Sequence, residues 1–311
     1  MQIEVLDSER ETGTEKKRFD PYEAVTTLIL KQLENGTVPW RCPWSQKVGR
    51  PRNFHTGNVY QGINTILLGF RRYASPYWLT IRQANMLGGH VRKGEHGSMV
   101  VKYGQFEKNS EEADDDKKAL YYLRGYTVFN AIQIEGIDFP AVENGTSKVP
   151  VERVAVAETI VADMPRKPAI EEGKRADAWY SPKRDVVQMP ALSRFENSEA
   201  YYLTLFHELV HATGHGSRLN RKTLVESDGM LGKKYSKEEL VAEMGAAFLG
   251  MEADIVTDDH EQSASYLKGW LDVLREPDHR RWIVEAGNQA TKAAQFILGT
   301  YVPPGSECIV A

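Results

Sequence analysis

His207-Glu208-Leu209-Val210-His211 lies inside a segment, 197–213, that reads as one amphipathic helix. Asn197 or Ser198 can cap its start, Leu203, Phe206 and Val210 fall at helical spacing, and Gly214 stops it. Residues four apart on a helix share a face, so the two imidazoles can meet one ion while Glu208 projects beside it. That pattern suits two zinc ligands and a general base acting on a metal-activated water. Two surface histidines on an ordinary helix are the plainer reading of the same residues.

A catalytic zinc needs a third protein ligand and an open position. Downstream stand His215, Asp228, Glu238, Glu239 and Glu243. The metzincin pattern puts a third histidine three residues after the glycine, where this chain has Ser217, and His215 follows Gly214 directly. Glu239 and Glu243 lie one turn apart on a second helix, read over 237–251, so one can bind metal while the other accepts the free N–H of a ligating histidine. Glu239-Leu240-Val241-Ala242-Glu243 resembles the second helix of the gluzincin peptidases, which reads Glu-x-x-x-Asp with the first acid as ligand. The resemblance implies Glu239 as ligand and Glu243 as the carboxylate behind it, and Glu in place of Asp leaves the order of the two open. It further implies that the strand before the motif helix, 185–189, is an edge strand that holds an extended peptide. The reaction implied is peptide hydrolysis, with Glu208 passing a proton from water to the leaving amine and Tyr235 or Tyr266 available to the oxyanion.

Outside these helices the composition is that of a soluble protein. The chain has 311 residues, 41% hydrophobic and 26% charged, about two domains' worth. No apolar run approaches the ~20 residues a membrane span needs. Residues 1–20 are polar, lack a secretion signal and read as a flexible arm. Two cysteines, Cys42 and Cys308, lie near opposite ends and form no disulfide framework. The expectation is a cytoplasmic protein without a membrane partner.

The pattern along the chain predicts an α+β fold in two domains. Residues 21–140 form the first: a helix opening at Asp20-Pro21, a short helix capped by Thr80 and Gln83, and strands at 97–106 and 120–130 around a charged tip at 110–118. A linker is expected at 141–150, and 151–311 form a mainly helical second domain with short strands at 176–180 and 185–189.

The net charge of −4 is unevenly spread. Between Trp40 and Lys108 eleven basic residues face only Glu95 and Glu107, a balance of +9, so the remainder carries −13. Ten aromatic residues are interleaved with those cations. Cations that track phosphates and rings that stack bases are what a single-strand binder needs, whereas no recognition helix for duplex DNA stands out. About half of the rings are expected in the core. Trp40, Trp44, Arg50, Arg52 and Asn53, in a loop-like stretch, are the first candidates for DNA contact, and Arg41, Tyr60, Asn64, Arg82, Arg92 and Lys93 join them.

Val38-Pro39-Trp40-Arg41-Cys42-Pro43-Trp44, Tyr60-Gln61-Gly62-Ile63-Asn64, Trp78-Leu79-Thr80-Ile81-Arg82-Gln83-Ala84 and Val91-Arg92-Lys93-Gly94-Glu95 resemble the N-terminal single-stranded-DNA-binding domain of ArdC-type antirestriction proteins. His207–His211, Glu238–Glu243 and Ser265-Tyr266-Leu267 through Trp270 are similar to that family's zincin-like metallopeptidase domain. The resemblance runs from about Tyr22 to Leu298. It implies a cytoplasmic plasmid or mobile-element protein that binds single-stranded DNA during conjugation and shields it from restriction. It also implies one Zn2+, for which other divalent ions could substitute, and a protein substrate that it does not identify, a DNA-associated protein being one candidate. Two functions compete: an enzyme brought to a protein target by its DNA-binding domain, or a DNA-coating protein whose metal site is structural or vestigial.

Overall fold

The computed structural model describes residues 19–41, 48–106, 120–141, 150–173, 177–226, 236–255 and 264–303. Most of the 1–20 arm, the 110–118 tip and most of the 141–150 linker lie outside them. The helices are α1 (Pro21–Glu34), α2 (Ile63–Gly69), α3 (Ile81–Met86), α4 (Pro150–Ala162), α5 (Ser198–Thr213), α6 (Lys222–Glu226), α7 (Lys237–Ala253), α8 (Ala264–Leu274) and α9 (Trp282–Ile297). The strands are β1 (Arg52–Asn53), β2 (Tyr77–Leu79), β3 (His90–Val91), β4 (Ser98–Phe106), β5 (Leu120–Asn130), β6 (Ile134–Glu135), β7 (Ala169–Glu172), β8 (Trp179–Ser181) and β9 (Val186–Met189). The layout is the expected α+β one in two domains, the second mainly helical.

Local signals account for the first elements. The Asp20 carboxylate accepts the Tyr22 N–H at 2.9 Å and Pro21 opens α1. Thr80 and Gln83 form the reciprocal capping box that starts α3. β4 and β5 pair antiparallel from Ser98↔Val128 to Phe106↔Leu120, and with β2 and β1 they make a four-stranded sheet of order β1-β2-β5-β4. The outer edge of β4 is closed where the Asn64 amide takes both the Val101 carbonyl (2.7 Å) and the Val101 N–H (2.8 Å).

In the second half β9 is the middle strand of a three-stranded sheet, parallel to β7 and antiparallel to β8. This corrects the expected edge strand at 185–189. All four β9 residues are buried, and the flank that an extended peptide would need is taken by β7, a strand of Ala-Ile-Glu-Glu whose charge hid it in the sequence. One apolar cluster joins the two halves: Val25, Ile29 and Leu33 of α1, Trp40, and Ile63, Ile66 and Leu67 of α2 share a core with α5, α7, α8 and α9. Among the described residues no helix is long and apolar enough to cross a membrane.

Candidate metal centre

α5 starts where Asn197 Oδ1 accepts the Ala200 N–H at 2.8 Å and buries Leu205, Phe206, Leu209 and Val210. α7 starts at the Ser236 cap and packs against α5. Their close approach depends on Gly245, where a Cβ would stand 2.7 Å from Val210 Cγ2. This packing sets Glu239, in the first turn of α7, opposite the motif.

His207 Nε2 and His211 Nε2 are 3.1 Å apart, Glu239 Oε2 is 3.3 Å from the first and Glu239 Oε1 is 3.5 Å from the second. Bonds of about 2.0–2.1 Å to a tetrahedral ion separate its ligand atoms by about 3.4 Å; each imidazole has one Glu239 oxygen near that distance, and one ligand atom from each of the three residues lies within 4.8 Å of the others. Two imidazoles and a carboxylate form a borderline donor set suited to zinc and to neighbouring divalent ions. His211 is 5% exposed, whereas the His207 and Glu239 side chains keep 22% and 30% of their surface, so the site opens on their side. Glu208, between the histidines, is buried.

Behind His211 the carboxylate is Glu238. His211 Nδ1 faces Glu238 Oε1 at 3.4 Å, a role the sequence reading did not give to this residue. Glu238 in turn accepts from Arg221 Nη2 (2.5 Å), Arg221 Nε (3.2 Å) and Thr223 Oγ1 (2.5 Å), and Arg221 also donates to Thr213 Oγ1 and the Val210 carbonyl. Glu243 accepts the Tyr266 hydroxyl at 2.9 Å. Tyr235 and Asp228 lie outside the described residues, and His215 turns to Ser217 at 2.8 Å, away from the converging donors. Burial alone would push His211 down, but its bonds to Glu238 and Glu239 outweigh that and raise it to about 10. Burial would likewise raise Glu238, and the Arg221 charge with the His211 and Arg221 bonds brings it to about 2. Glu239 is lowered for the same reason by the two histidines. The cluster is electrostatically prepared for positive charge, and a cation competes with protons for the same ring nitrogens.

The DNA-contact candidates fare differently. Trp40 is fully buried, edge-on to Trp270 with centroids 5.4 Å apart, and so is core, not a stacking platform. Its Pro- and aromatic-rich surroundings read as a contact loop, yet the Trp40 ring packs against Trp270 of α8. Trp44 and the Arg41 side chain lie outside the described residues. Arg50 pairs with Glu252 across the two halves. Asn53 bonds Gln83 at 3.0 Å and the Thr56 N–H at 3.0 Å, Asn64 closes β4, and Tyr60 is half-buried beside Leu68 and Val100. Arg52, Arg82 and Lys93 are exposed, and Arg92 is exposed while paired with Glu95 at 2.8 Å.

Comparison with known proteins covers nearly the whole chain. Residues 155–289 match the family described as zincin-like metallopeptidase, and residues 19–129 match the N-terminal domain of anti-restriction factor ArdC. The metal-free crystal structure of the antirestriction protein ArdC from plasmid R388 is 37% identical with a TM-score of 0.70, over 92% of this chain and 100% of that one. The Mn(II)-bound structure of that protein is 36% identical with a TM-score of 0.68, over 91% and 98%. Among curated relatives, a DNA primase TraC of Escherichia coli is 35% identical over 91% of this chain but only 27% of its own length, and a second is 33% identical over 20% of its own length. The protein y4eC of Sinorhizobium fredii is 31% identical over 89% of this chain and 91% of its own.

Proposed function

This chain belongs to the ArdC family of antirestriction proteins, with a zincin-like metallopeptidase domain in its second half, and from that membership we propose that it binds single-stranded DNA entering a recipient cell by conjugation, shields it from restriction and cleaves a protein on that DNA. The observation that carries the enzymatic part is the convergence of His207, His211 and Glu239 at 3.1–3.5 Å. These three residues would hold a divalent ion, zinc in this reading, which supplies Lewis acidity toward a peptide carbonyl and its attacking water. Glu208, one residue beyond His207, takes the water's proton and delivers it to the leaving amine. Glu238 keeps the His211 ring in the orientation that turns Nε2 toward Glu239. The first half supplies the address: cations and rings localise the chain on DNA in the cytoplasm, and the peptidase domain acts on what is bound beside it.

Replacing Glu208 tests this directly. Glu208→Gln is expected to retain the metal, measured by elemental analysis, and to retain DNA binding. It should lose peptide-bond hydrolysis by orders of magnitude and lose protection of DNA transferred into a restricting recipient. A variant that loads metal normally and still protects fully would mean that coating of DNA suffices and that cleavage is not what protects.

A further inference from the structure

We propose that single-stranded DNA lies across one face of the β4–β5 hairpin, its bases stacked on Tyr122 and Tyr126 and its phosphates on Lys102, Arg124 and Arg71. This rests on the DNA-binding reading above and moves it to residues outside the loops that the composition singled out.

Register places the groups together. Val100 is opposite Tyr126, Lys102 opposite Arg124 and Gly104 opposite Tyr122, so these six share one face of the pair. Four aromatic residues among those described have more than a third of their surface in solvent, and three of them, Tyr103, Tyr122 and Tyr126, belong to this hairpin. Tyr103 points to the other face, where its hydroxyl meets that of Tyr22 and where Val101, Met99 and Leu123 join the main core. At its base the Tyr122–Tyr126 face is backed by Val100 and Val128, packed with Leu68 and Trp78.

The rings are held, not merely exposed. Tyr122 lies over Gly104, where any Cβ would run into the ring, so the ring can lie along the sheet, 36% exposed. Arg124 sits over Tyr126 at 5.5 Å from the centroid. Arg71 is fixed at the start of the same face by a 2.9 Å bond to Ser98 Oγ. Neither strand carries a carboxylate. The two tyrosines are four residues apart on β5, about 13 Å along the strand, with the cation pair between them. Rings carried on a sheet can meet the faces of unstacked bases, which a duplex does not offer.

The test uses the full chain and a labelled oligo-dT strand. Tyr122→Ala/Tyr126→Ala is expected to weaken binding by about 25-fold or more, and the conservative Tyr122→Phe/Tyr126→Phe pair to restore it, because stacking uses the ring. Lys102→Ser/Arg124→Ser should flatten the slope of log K against log salt by about 1.4. Unchanged binding by the alanine pair overturns the proposal while leaving DNA binding itself in place, and so does a phenylalanine pair as weak as alanine. Preference of the natural chain for duplex over single strand overturns it too. No binding of oligo-dT by the natural chain removes the reading beneath it as well. Should the alanine pair fail to fold, photo-crosslinking of the natural chain to iodouracil-substituted oligonucleotide decides: cross-links are expected at Tyr122 and Tyr126, and cross-links confined to other peptides overturn the assignment.

Discussion

A guanidinium that is 4% exposed needs partners for its five donors, and Arg221 makes four bonds, to Glu238, Thr213 and the Val210 carbonyl. Removing one member of such a pair leaves an uncompensated buried charge. Arg221→Ala is therefore expected to cost about 3–5 kcal/mol in urea unfolding, while an apolar replacement of both partners costs less than the sum of the single changes. Glu238→Ala should in addition weaken metal binding by about 10–100-fold, read by competition with a chelator, because His211 loses the group that orients it. His207, Glu208 and His211 were legible in the sequence because their relation is set by one turn of one helix. Glu238 was not, since its role depends on an arginine 17 residues earlier that the fold returns beneath α5. Among downstream acids it had no mark of its own.

At the scale of elements, the site exists because α5 and α7 touch. Gly245 faces Val210, with a hypothetical Cβ 2.7 and 2.9 Å from the two Val210 methyls. On an exposed helix Gly→Ala gains about 1 kcal/mol. Here overpacking costs about 1–3 kcal/mol, so Gly245→Ala is expected to gain nothing or lose stability on thermal unfolding. It should also weaken metal binding, because Glu239 is carried on the helix that is pushed away. Helix starts were readable at Asp20, Thr80 and Asn197, where a side-chain oxygen meets a nearby N–H. Strand order was not. The position of β9 in the middle of its sheet depends on β7, about fifteen residues upstream, and pairing partners are not written in a strand's own residues.

For the molecule as a whole, the junction of the two halves is hydrophobic. α1 and Trp40, from the first half of the sequence, share a core with α8 and α9. Trp40→Ala is expected to cost about 3–5 kcal/mol and to lower the melting of both halves together, with DNA affinity falling only in step with the folded fraction. A selective loss of DNA binding at unchanged melting would return Trp40 to the surface role its neighbourhood suggested. Short-range geometry made four features legible along the chain: the capped helices, the long hairpin, the two-histidine turn with its glutamate, and the excess of cations and rings in one half. Long-range packing alone sets Glu239 beside the two imidazoles and Glu238 behind His211. It also decided which rings are core and which reach solvent, because burial and convergence are fixed by residues brought together across the chain, and no local spacing records them.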